Sequence, residues 1–233
     1  MDEVSLLRLG PVDDWVRTIA AHLGVEPTLG GTDDLDRALD DLAGRRLVLS
    51  CAVPGLNAVV RRLVRRDQAD RVAIGWVADL DRDSRDLAER LGLPKRPTPA
   101  AELARGLDTR KVGLVRDDHG GVLLHRGRLS AWAGAKAFGA QSYHDDALVA
   151  DGTIRRIEVT PHRSENGTLI VQVARPGRLR ESVSRSTGRS IQTACDEGQS
   201  TVDGVPHPRP VRKWTWYADP HRHWLLRAPT LPG

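Results

Sequence analysis

Apolar positions in the first hundred residues follow two alternating periods. Residues 47–51 are a short continuous apolar run, the pattern of a strand covered on both faces, and residues 4–8 and 72–77 also read as strands. Between them the period lengthens to that of a helix. Residues 12–23 put Trp15, Ile19, Ala20 and Leu23 on one face and stop at Gly24, and a second helix runs from a cap at Thr32 through Leu42 to Gly44. Past residue 51, Pro54 suits a first helical position, where its missing N–H costs nothing. Leu56, Val59, Val60, Leu63 and Val64 then form a stripe opposite Arg61, Arg62, Arg65 and Arg66. Residues 83–91 and the segment "PTPAAELARGL" predict two more helices. This alternation predicts a doubly wound, mostly parallel α/β lobe over residues 1–112.

The pattern changes near residue 110. "KVGLVRDDHGGVLLHRG" reads as a hairpin around an Asp-Asp-His-Gly-Gly turn. "TIRRIEVTP" and "GTLIVQVA" follow, joined by Ser-Glu-Asn-Gly, and then "RSIQTAC", "QSTVDG", "RKWTWYA" and "HRHWLLRA", each taken as a separate strand. Residues 175–190, rich in glycine and arginine, read as a loop. Period-two alternation over short runs predicts an antiparallel, sandwich-like β lobe for residues 113–233.

Composition narrows the function classes. Apolar residues make up 39% and charged residues 28% of 233, the balance of a soluble globular protein. No run of 18 apolar residues exists and "MDEVSLLRLG" lacks a basic, then apolar, leader. These features predict a cytoplasmic protein without a membrane span, with peripheral attachment to a membrane as the alternative. Cys51 and Cys195 have no metal-ligand spacing and read as small buried hydrophobes. Charge is uneven: residues 1–150 carry 22 basic and 23 acidic side chains, residues 151–233 carry 13 and 8. A basic C-terminal region suits a lipid or another anionic small molecule. No nucleic-acid motif accompanies it, so no nucleic-acid partner is expected.

Candidate chemistry is sparse. "DLDRDSRDLAER" begins like a calcium loop but has Ser84 where glycine belongs and Arg90 where glutamate belongs. "SYHDD", residues 142–146, reads as capping in a turn before a helix. His221 and His223 share a strand face without a third ligand, so no metal is assigned. Trp214, Trp216 and Trp224 are either core or an exposed patch beside Arg212 and Lys213 that suits a lipid or a protein partner.

The order of elements, with "GLNAVV" after the 47–51 strand, "DLAERLGLP", "AAELARGLDTRKVGLV" and "TVDG", resembles the bacterial diacylglycerol kinase and lipid kinase family, related in fold to NAD kinases. The resemblance implies an α/β lobe, a β-sandwich lobe, ATP with magnesium, and transfer of a phosphoryl group to a lipid hydroxyl. It places the nucleotide region at Val53, Gly55, Asn57, Asp81, Asp83 and Asp86, and matches the β lobe at Asp203 and Gly204.

The departures bear on activity. The family carries Gly-Gly-Asp-Gly-Thr where this chain has Cys51, Ala52, Val53, Pro54 and Gly55. Those glycines bring backbone N–H groups close to phosphate, and here all three are replaced, the last by proline. Val53 stands in place of the aspartate and cannot orient magnesium. In the family's Gly-Thr-x-Asn-Asp stretch only the last aspartate persists, as Asp86, while Asp79, Asp81 and Asp83 are additions. The family's general-base segment has no counterpart. The expectation is a degenerate nucleotide site with reduced or no phosphoryl transfer, in a protein that binds a ligand or a partner. The alternative is an active ATP-dependent lipid kinase whose metal site is rebuilt from Asp79, Asp81 or Asp83. A weaker third reading is a purely structural or regulatory subunit.

Overall fold

The computed structural model describes residues 3–31, 35–41, 46–162, 167–177 and 180–229. The chain forms two compact units, one from residues up to 112 joined by those from 223 onward, the other from residues 113–222. No described helix is long and apolar enough to cross a membrane.

In the first unit, strands β1 (Val4–Leu9), β2 (Pro27–Leu29), β3 (Arg46–Cys51) and β4 (Ala73–Ala78) alternate with helices α1 (Asp14–Leu23), α2 (Leu35–Asp41), α3 (Val53–Arg65), α4 (Arg82–Arg90) and α5 (Pro97–Arg105). The sheet order is β2-β1-β3-β4, and every pair is parallel. Leu225 and Leu226, from the end of the chain, add a further parallel pairing to β4. Asp13 caps α1, its carboxylate accepting from the Val16 N–H at 3.0 Å, and Gly24 ends the helix at φ 68°. The cap and stop expected at Thr32 and Gly44 lie outside the described residues.

Alternation along the strands sends Leu6, Val48 and Val77 to one face. There they pack on Ile19 of α1 and on Ala100, Ala101 and Ala104 of α5. The alanines let α5 approach closely, and Gly75 completes the fit: a Cβ there would lie 2.0 Å from the Ala104 carbonyl oxygen. The apolar stripe of α3 is buried as its period predicts. On its polar side Arg62 and Arg66 reach Asp36 of α2 at 2.8 and 2.5 Å, and Arg66 also reaches Asp40 at 2.7 Å. These pairs are partly exposed, so they set the seating of α2 more than they add stability.

The second unit is antiparallel. Its strands are β5 (Thr109–Asp117), β6 (Val122–Leu123), β7 (Gly127–Ala131), β8 (Phe138–His144), β9 (Ala147–Ile154), β10 (Arg156–Pro161), β11 (Leu169–Arg175), β12 (Ser182–Gly188), β13 (Ser190–Val202), β14 (Val205–Pro206) and β15 (Val211–Arg227). The expected hairpin is present, with Val115 opposite Leu123 and Arg116 opposite Val122. One long strand, β13, organises the rest. Its first half pairs with β8, its second half with β7, and its other edge with β15. Leu129, Ile157, Val159, Leu169, Val171, Ile191, Trp214 and Trp216 fill the core of this unit.

Three expectations are corrected here, and one alternative is decided. Part of the presumed loop 175–190 is strand β12, which pairs with β11 along its whole length because Ser and Thr satisfy an exposed edge as well as a loop. "SYHDD" precedes no helix. It closes the β8–β9 hairpin, with Asp145 at φ 50° and its carboxylate accepting from the Arg189 and Ser190 N–H groups. "RSIQTAC" and "QSTVDG" are one strand with a bulge, and "RKWTWYA" and "HRHWLLRA" are one strand running through Asp219 and Pro220. Trp214, Trp216 and Trp224 are buried at 2%, 1% and 1% exposure, which excludes the exposed tryptophan patch.

Gly75→Ala tests the packing of α5 directly. The added methyl group forces the helix off the sheet, at a cost of about 2 kcal/mol. Thermal unfolding should show a drop of roughly 6 °C for a chain of this size.

Candidate functional site

The order β2-β1-β3-β4 reverses direction between β1 and β3. In open parallel sheets, ligands bind beyond the carboxyl ends of the strands at that reversal. Here the loops concerned are residues 10–13 after β1 and residue 52 with the first turn of α3 after β3.

The start of α3 is best described by counting its donors. The first backbone N–H groups of a helix have no partner within it and make the usual anion site. Ala52 is the N-cap residue and offers no side-chain acceptor. The N–H of Val53 donates to Ser84 Oγ at 3.1 Å. Pro54 has no N–H. The N–H groups of Gly55 and Leu56 both donate to the Ala52 carbonyl, at 3.0 and 3.1 Å. The three N–H groups of the turn that follows the Ala52 cap are therefore engaged inside the protein. Val53 itself is 1% exposed.

Gly55 has a packing reason. A Cβ at this position would lie 2.9 Å from Cys51 Cβ and 3.1 Å from its Sγ, so glycine lets the helix sit on the end of its own strand. The Cys51 thiol is fully buried, and burial, with the nearby Asp79 charge, pushes its pKa up. The Cys51 carbonyl accepts from Trp76 Nε1 at 3.0 Å and from the Asp79 N–H at 3.3 Å. The thiol is inert packing material.

A polar cluster lies across the ends of β1, β3 and β4. Arg8 is opposite Ser50 in the ladder and 2% exposed. Its guanidinium donates to the Pro11 carbonyl at 2.8 Å, to Ser50 Oγ at 3.2 Å and to the carboxylate of Asp79. The same guanidinium lies against Gly10, at φ 131°. Burial raises the pKa of Asp79 in spite of Arg8, and the charges of Asp13 and Asp81 push it the same way. The strand ends thus carry one paired cation and several acids.

Asp81 caps α4, accepting from the Ser84 N–H at 3.0 Å. Through the buried Ser84, the starts of α3 and α4 are hydrogen-bonded to each other. Asp83 stands in the first turn of α4 and Asp86 one turn further on, both half-buried, and Asn57 is half-buried in α3. Val53, Gly55 and Asp81 are brought together at the strand ends. Asp203 and Gly204 belong to the second unit, where φ values of 50° and 85° form the tight turn between β13 and β14. The Asp203 carboxylate, 2% exposed, accepts from the Leu124, His125 and Arg126 N–H groups at 2.8, 2.8 and 2.9 Å. It holds the connection between β6 and β7.

Sequence reading missed Arg8, Ser50 and Ser84. Arg8 had a visible signal, since a charge at an inward-facing position of a strand needs a buried partner. Ser84 had none beyond its place in a helix start.

No family model matches the chain, and no curated protein matches it by sequence. Solved structures do match. A diacylglycerol kinase from Bacillus anthracis str. Sterne superposes with a TM-score of 0.66 at 12% identity, covering 97% of both chains. Another structure from the same strain gives 0.69 at 13% identity over the same share. An NAD kinase from Archaeoglobus fulgidus, in complex with ATP, gives 0.55 at 12% identity over 96% of this chain and 93% of that one. The chain has the fold of these kinases.

The buried Arg8–Asp79 pair should behave asymmetrically. Asp79→Ala strands a buried guanidinium and should cost about 3–5 kcal/mol in urea unfolding, whereas Arg8→Met with Asp79→Leu should cost far less than the single change. Equal losses for the two variants would show that the pair is not coupled.

Proposed function

We propose that this protein has the diacylglycerol kinase fold without its phosphoryl-transfer chemistry, and that it acts by binding a ligand. The observation that carries this reading is the engaged first turn of α3: one N–H on Ser84, none on Pro54, and two turned back on Ala52. A triphosphate needs several such donors in the open. ATP with magnesium does not suit the start of α3. Val53 supplies no carboxylate for the metal, Asp81 is committed to the start of α4, and Asp13, Asp79 and Asp81 make the strand ends repel an uncompensated polyphosphate.

The ligand on this reading is a small molecule with apolar character, in keeping with the lipid hydroxyl that the kinase resemblance implies. Asp83 and Asp86 are then polar residues of an acid-rich helix start, which suits the helix dipole.

Calorimetric titration with Mg²⁺-ATP, followed by an assay of phosphoryl transfer to diacylglycerol vesicles, tests the proposal. The expected result is no heat at millimolar ATP and no phosphorylated lipid. Micromolar binding weakened by Asp81→Asn with Asp83→Asn, together with transfer to lipid, would overturn it and establish the active kinase.

A further inference from the structure

A cavity of about 730 Å³ opens within the second unit where β13 changes partners. Up to Cys195 that strand pairs with β8, and from Gly198 it pairs with β7. Along its other edge Ala194 is opposite Lys213 and Gly198 is opposite Val211, so residues 195–197 bulge out against Arg212 alone. Asp196 and Glu197 therefore have no ladder partner on either side. A bulge of this kind bends the strand and re-aims side chains, and here both acids, exposed, line the cavity together with Arg212.

The connection from β7 to β8 also lines the cavity, with Trp132 and the small side chains of Ala133, Ala135 and Ala137, and Phe138 follows at the start of β8. The backbone of the connection is unusual. Ala133 and Gly134 are consecutive left-handed residues, at φ 53° and 76°, a conformation an alanine seldom adopts. Gly139 supports the site from β8: a Cβ there would lie 2.4 Å from Asp196 Oδ2, so the carboxylate lies against bare backbone. Glu197 is 3.9 Å from Arg212, both being exposed. Among the described residues Asp196 has no ion-pair partner. The Cys195 thiol, raised to about 11 by burial and by Asp196, remains protonated and adds no charge.

We propose that this cavity binds an organic cation, a primary or quaternary ammonium bearing a short aliphatic chain. The ammonium sits between the Asp196 carboxylate and the face of Trp132, and the chain lies along Phe138 and the alanines. An aromatic face beside a carboxylate is the pairing that holds alkylammonium groups, and the apolar wall suits the chain. The proposal gives a chemical class to the ligand-binding role above and rests on that reading for its purpose.

Titration of the full chain with hexylammonium chloride, followed by NMR, tests it against hexan-1-ol and sodium hexanoate as the neutral and anionic counterparts. Hexylammonium should bind at least tenfold more tightly than hexan-1-ol, with hexanoate weakest. Asp196→Asn should bring the preference over hexan-1-ol below threefold, and Ala135→Leu, which adds bulk to the cavity wall, should weaken both. Equal binding of the three probes, no saturable binding, or an unchanged preference in Asp196→Asn would overturn the proposal. Mg²⁺-ATP titrated into the same preparation separates the two readings. Heat with ATP removes the engaged-turn reading alone, whereas failure of hexylammonium beside silent ATP removes the cavity alone.

Discussion

Helix α3 has three backbone N–H groups in the turn that follows its Ala52 cap, because one position is proline, and all three are used internally. That count constrains everything at the strand ends. With Val53 tied to Ser84 and Ser84 tied to Asp81, the starts of α3 and α4 are one hydrogen-bonded unit. A buried N–H without a partner costs about as much as a lost hydrogen bond. The Ser84 contact therefore stabilises the buried Val53, and the loop that could cradle an anion becomes part of the packing. The Arg8–Asp79 pair continues the pattern: a cation at the sheet reversal is committed to an acid from the same sheet.

The fold was legible wherever period and length agreed. The runs at 4–8, 47–51 and 72–77 are strands within a residue or so of their expected limits, and the stripe from Leu56 to Val64 is buried as its spacing requires. Legibility failed where one strand makes two sets of partners. β13 and β15 are 13 and 17 residues long, each crossing turn-forming residues that read as breaks in sequence. Nothing local tells a bulge at 195–197 from a turn, because the choice is made by β7 and β8 on the neighbouring edge.

The candidate site was legible in residue type but not in connection. That positions 51, 52 and 54 hold no glycine can be read from the chain, as can the presence of Asp81, Asp83 and Asp86. That Ser84 takes the Val53 N–H cannot, since the two are 31 positions apart and join through tertiary contact. Asp203 shows the converse. Its match to a family motif drew attention to chemistry, yet its carboxylate is occupied by three backbone donors and serves the fold of the second unit.

On the structure described, the Val53, Gly55 and Leu56 N–H groups at the start of α3 are closed to phosphate. The most direct measurement is a two-dimensional NMR titration with Mg²⁺-ATP, following the amides of Val53, Gly55 and Leu56 together with their hydrogen exchange. All three should be protected and unmoved by ATP, and Ser84→Ala should remove protection from Val53 alone. Large, saturable shifts of these amides with ATP would contradict it.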